Sequence, residues 1–130
     1  MKISIELPKS ELVVYPEKRI LHHRIKEPIN HQEFETLLTK GLELYSKYQC
    51  KKWLSDDRKN TLFDDKLIKW GLVWESQIMK TGWKAWAIIP PEDKECNDKM
   101  EARLDRLHAM GVKVRAFNNT EDAMAWLEEQ

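Results

Sequence analysis

Hydrophobic positions along this chain alternate between two rhythms. ELVVYP and KRILHHRIKEP are short β-type runs separated by Pro16, Glu17 and Lys18, which predicts an N-terminal β-hairpin. In the second run Leu21, His23 and Ile25 share one face, while Ile20, His22, Arg24 and Lys26 share the other. The first face is the better core candidate. Pro28 stops the strand, and Asn30 is placed to cap a helix with Glu33 as its capping-box partner. Phe34, Leu37, Leu38, Gly41, Leu44, Tyr45 and Tyr48 then recur at steps of three and four, the signature of an amphipathic helix. Gly41 costs helix propensity on that apolar stripe, so its presence implies close packing of the helix against a sheet.

The same alternation continues. Residues 51–55 form a short strand, and Asp64 or a neighbour starts a second helix with Leu67, Trp70, Gly71, Trp74, Ile78 and Met79 on a wide apolar face. Two acids at its start suit the positive end of the helix dipole, and Thr81 with Gly82 ends it. WKAWAII is nearly continuous in apolar character, as expected of a central strand covered on both faces, and Pro90 and Pro91 stop it. A third helix starts near residue 93 or 97 and runs to 110, with Met100, Leu104, Leu107 and His108 inward and Gly111 as its stop. VKVRAF is the last strand, and Asn119 or Thr120 caps a final helix carrying Ala123, Trp126 and Leu127. The order is β-β-α-β-α-β-α-β-α. It predicts an α/β fold in which an N-terminal β-hairpin precedes alternating α and β elements, giving an about five-stranded mixed sheet with helices packed on it.

Length and composition narrow this picture. A chain of 130 residues fits one domain spanning 1–130, and 42% hydrophobic residues suffice for a core without disulfides or metals as staples. Lysine plus arginine balances aspartate plus glutamate at 22 each, which argues against a general electrostatic grip on nucleic acid or anionic membrane. Cys50 and Cys96 belong to no C-x-x-C pair and read as reduced thiols. The N-terminus carries no apolar run long enough for a signal peptide, and no segment approaches the roughly 20 apolar residues of a membrane span. A cytoplasmic protein is the expectation.

Candidate chemistry is sparse. Adjacent His22 and His23 point to opposite faces of a strand and cannot easily share an ion; His23 reads as a half-buried core residue and His22 as a surface one. No H-x-x-x-H, H-E-x-x-H or Cys/His cluster occurs, so no metal is expected. There is no G-x-S-x-G elbow, P-loop or G-x-G-x-x-G fingerprint, and no cofactor is expected. Six tryptophans are many for this length. Trp70 and Trp74 share one helical face, and Trp83 and Trp86 are expected on opposite sides of their strand. Core packing is one account of these residues; the other is an aromatic pocket or a homodimer surface, with Trp70 and Trp74 as the candidates.

The loop Asp56, Asp57, Arg58, Lys59, Asn60, Thr61 follows a strand and leads into a helix, where parallel α/β sheets tend to bind ligands. Its cations and the helix amides could attract an anion, and its acids could hold a divalent cation or serve a small hydrolase. Turn and cap chemistry explains the same composition more simply.

With this order of elements, the chain resembles the bacterial SpoIIAA-like group of STAS/SEC14-type domains. RILHHRIKEP matches the second strand, KKWLSDDRKN the strand and loop, and DDKLIKWGLVWE the following helix. WKAWAIIPPED is similar to the group's apolar strand followed by Pro-Glu-Asp. GVKVRAFNNTEDAMAWL, the most specific piece, is similar to its terminal strand and helix. The resemblance spans about residues 11–127. It implies a role in protein interaction or regulation in a bacterial cell rather than catalysis, with a protein partner or a homodimer. Anti-sigma-factor antagonists of the wider fold carry a phosphorylatable serine in an Asp-Ser-Ser-Gly type motif at the helix start. This chain reads SDDRKNTLFDD there, leaving Thr61 as the nearest hydroxyl and the subordinate phosphorylation candidate. The SEC14-type side implies lipid or small apolar-ligand binding, which is the alternative reading.

Overall fold

The computed structural model describes residues 1–130. Its frame is one six-stranded sheet whose spatial order follows chain order. Strands β1 (Ile3–Leu7), β2 (Ser10–Tyr15) and β3 (Ile20–Ile25) pair antiparallel. Strands β4 (Lys52–Asp56), β5 (Ala85–Ile89) and β6 (Lys113–Ala116) continue the sheet in parallel with β3. Helices α1 (His31–Lys47), α2 (Asp65–Met79) and α3 (Lys94–Ala109) form the crossovers, and α4 (Thr120–Glu128) follows the last strand. This is the expected mixed α/β sheet, with one strand more. The added strand, ISIEL, alternates with Ile3, Ile5 and Leu7 packed against the core and Ser4 and Glu6 exposed.

Because strand order is sequential, right-handed crossovers place α1, α2 and α3 on the same face. The larger core lies there: Leu12, Val14, Leu21, Ile25, Trp53, Trp86 and Ile88 from the strands meet apolar residues of the three helices. On the other face α4 sets Ala123 and Leu127 against Ile20, Leu54, Ala85, Ala87 and Ile89. The small alanines of β5 let this single helix lie close.

Local chemistry sets the element ends. Asn30 accepts from the Glu33 amide at 2.8 Å while Glu33 accepts from the Asn30 amide at 2.9 Å, a complete capping box. Asp64, Asp93 and Asn119 cap the other three helices, accepting from the amides of Leu67, Cys96 and Asp122. Gly41 is where α1 meets the sheet most closely, since a Cβ there would stand 2.7 Å from Cη2 of Trp53.

Three expectations are corrected. Trp83 precedes the strand, which begins at Ala85, so its ring turns to the same side as Trp86, with centroids 5.7 Å apart. His108 is exposed on α3, where Cys96, Met100 and Leu107 are the buried positions. His22 is buried, because Val13 and Leu54 flank it on the neighbouring strands.

Candidate functional site

The loop after β4 is built inward as much as outward. Asp56, Asp57 and Asn60 are buried, whereas Arg58, Lys59 and Thr61 are exposed. Asp56 receives Nε and Nη2 of Arg58 at 3.0 and 2.8 Å. Burial pushes the Asp56 carboxyl upward, and this guanidinium outweighs it, leaving the group below its ordinary value. Asn60 closes a turn by bonding both the carbonyl and the amide of Leu62. The Asp57 amide donates to Ile89, the Glu92 amide donates to Arg58, and Lys59 pairs with Glu92, so the loop is stapled to the end of β5. Beside it lies a polar cleft of about 170 Å³ containing Arg24, Lys26, Arg58 and Lys59. Each of those cations has a carboxylate partner: Glu11, Glu6, Asp56 and Glu92 respectively.

Beneath the loop runs a buried chain of rings. His23 stands 5.9 Å from Trp53; Trp53 meets Trp74 at 5.2 Å, and Trp74 meets Trp83 at 6.2 Å. Their polar atoms are satisfied. Nε1–H of Trp53 donates to Nδ1 of His23 at 2.9 Å. An indole nitrogen only donates, so Nδ1 is the acceptor and the ring proton sits on Nε2, 2.7 Å from Oδ1 of Asp57. Trp86 donates to Oγ of Ser55, Trp74 to the Leu38 carbonyl and Trp83 to the Ala85 carbonyl. A serine, a histidine and an aspartate therefore lie near one another without forming a reactive constellation. Both histidine nitrogens are engaged, and the cavity among these side chains is about 10 Å³, barely room for one water.

Trp74 thus belongs to the core, and Trp70 is half-buried against it. The exposed apolar side chains of α2 are Ile68, Leu72 and Val73. The thiols of Cys50 and Cys96 are buried, and burial pushes both up to about 11, which leaves them unreactive. No three His, Cys, Asp or Glu side chains converge as a metal site would require, and no helix is long and apolar enough to cross a membrane.

An open apolar groove of about 390 Å³ lies elsewhere, between α2 and α3. Phe34, Leu38, Phe63, Leu67, Ile68 and Leu72 supply its walls, and Gly71 leaves room in it, with no atom within 4 Å of where a Cβ would stand. Along one side are Glu75, Lys99, Arg103 and Arg106. Glu75 is buried on α2, with Nε of Arg103 2.6 Å from Oε2 and Nη1 of Arg106 2.7 Å from Oε1. Arg103 also lies over the Trp86 ring at 4.9 Å. Lys99 donates to the Phe63 carbonyl and pairs with Glu95. Sequence reasoning passed over these residues. The available signal was Glu75, a charged side chain four residues after Gly71 on the apolar stripe of the helix.

No family model matches this sequence, and no curated protein matches it. The chain is similar to the crystal structure of an uncharacterised protein of the DUF3478 family with a SpoIIAA-like fold, from Shewanella loihica PV-4. The two share 14% identity at a TM-score of 0.55, over 98% of this chain and 92% of that one. The SpoIIAA-like fold expected from the sequence is thereby shown.

Proposed function

We propose that this chain, built on the SpoIIAA-like fold, is a non-catalytic binding module whose working face is the groove between α2 and α3, and that its ligand is a small molecule with an apolar body. The groove itself carries this reading. A concave apolar surface of about 390 Å³ falls within the range of about 300–1,000 Å³ typical of ligand pockets. Its apolar residues come from all three helices of that face and from the segment before α2, so the cleft is held by a packed scaffold. The buried histidine and serine offer no comparable access.

The test uses the neutral apolar dye N-phenyl-1-naphthylamine with the wild-type protein and Gly71→Leu. The leucine would project into open groove space. Saturable one-to-one binding by the wild type and its loss in Gly71→Leu are the expected results. Absence of binding, or equal binding by both, would remove the groove as the working face.

A second reading has its own observation. Ile68, Leu72 and Val73 are exposed along α2, and an apolar ridge of this kind suits a protein partner or a second copy of the chain. A concentration-dependent dimer in light scattering, disrupted by Val73→Glu, would favour it.

A further inference from the structure

Resting on the groove as a binding face, we infer that its ligand is a single-chain carboxylate, a monoanion whose head group is received by Arg106. The charges along the rim lead to this choice. Two guanidinium groups, Arg103 and Arg106, face one buried carboxylate, Glu75, and leave one positive charge uncompensated. Lys99 adds none, since it is paired with Glu95.

The two arginines are differently committed. Arg103 donates to Glu75 and rests on the Trp86 ring. Arg106 lies 2.7 Å from Oε1 of Glu75, yet that oxygen accepts no hydrogen bond, so the pairing is one of charge without alignment. Nε and Nη2 of Arg106 meet no protein acceptor, and together they present one edge of the guanidinium fork that matches a carboxylate. Arg106 is also 40% exposed, open to the groove mouth. A cation with an unused fork beside apolar walls complements an amphiphile with one negative charge. At about 390 Å³ the groove stands near the small end of ligand pockets, about 300–1,000 Å³, which suits one chain rather than two. Glu75 then acts as a countercharge that sets selectivity: with it present the rim balances a monoanion, and without it the rim would balance a dianion.

Competition against N-phenyl-1-naphthylamine tests this with decanoate, 1-decanol and decyl phosphate at pH 8. Decanoate is expected to displace the dye about tenfold or more better than decanol, the worth of one charge-assisted hydrogen-bonded contact. It is also expected to compete at least as well as decyl phosphate. Arg106→Gln should erase the preference for decanoate over decanol while dye binding and decanol competition persist. Glu75→Gln, of nearly the same shape, should shift preference toward decyl phosphate. Equal competition by decanoate and decanol in the wild type would overturn the inference and leave the apolar groove standing. So would an unchanged preference in either variant, or a preference for decyl phosphate in the wild type. Failure of the dye to bind at all would remove the groove reading, and this inference with it.

Discussion

His22 and His23 occupy opposite faces of β3, and their surroundings treat them differently. His23 is fixed between Trp53 and Asp57 by two hydrogen bonds, whereas Nε2 of His22 is buried without a partner. Burial pushes the His22 imidazole down to about 4; His23, Arg24 and Lys2 add to the shift and Asp56 opposes it. The ring is therefore held neutral in the folded chain but takes a proton near 6.5 when unfolded. Its contribution to stability is complete above 6.5 and is lost as pH falls toward 4, by up to about 3 kcal/mol. Asp56 acts in a separate window, since its carboxyl is held below the ordinary 3.8 and weakens the fold only at more acid pH. Urea unfolding at pH 7, 5.5 and 4 should show the wild type losing stability across this range and His22→Leu losing distinctly less. Parallel losses in the two proteins would contradict the assignment.

At the scale of elements, the two helical glycines of α1 and α2 make opposite demands. A Cβ at Gly41 would press on Trp53, whose indole is anchored to His23 and packed against Tyr45 and Trp74, so it cannot retreat cheaply. Gly41→Ala should cost a net of about 1–2 kcal/mol, overpacking exceeding the gain in helix propensity. Gly71→Ala meets no atom and should stabilise by about 0.4–1 kcal/mol. Thermal unfolding of both variants checks the contrast, and equal signs would refute it.

Such local features are what the sequence makes legible. The capping box at Asn30 and Glu33, the close approach at Gly41 and the cap at Asp64 all depend on neighbours within a turn or on a strict period. Alternation in ISIEL was equally visible, but Pro8 and Lys9 follow it directly and the run is only five residues long. The side taken by Trp83 depended on where the strand begins, a boundary that the run WKAWAII does not mark. Burial of Asp56, Asp57 and Asn60 could not be read locally either, because it arises from β3, β5 and the turn that the loop itself closes. The rim of the groove was hidden for the same reason: Glu75 meets Arg103 and Arg106 from a helix 28 or more residues away.

For the whole molecule, equal numbers of acids and bases conceal an uneven distribution. Around the loop after β4 each cation is matched by a carboxylate, and the acids within the loop are buried or engaged. At the groove the pairing is incomplete, and apolar side chains stand open beside it. The sequence directs attention to residues 56–61 as a contact surface, and their exposed Arg58, Lys59 and Thr61 remain available for one. The balance of apolar area, volume and unused hydrogen-bond donors favours the α2–α3 side of the sheet as the working face. Amide chemical shifts followed by two-dimensional NMR during titration with decanoate compare the two regions in one measurement. Ligand binding in the groove requires saturable changes concentrated in residues 63–75 and 99–106, with residues 56–61 nearly unmoved. Changes centred on 56–61, or none that saturate, would contradict it.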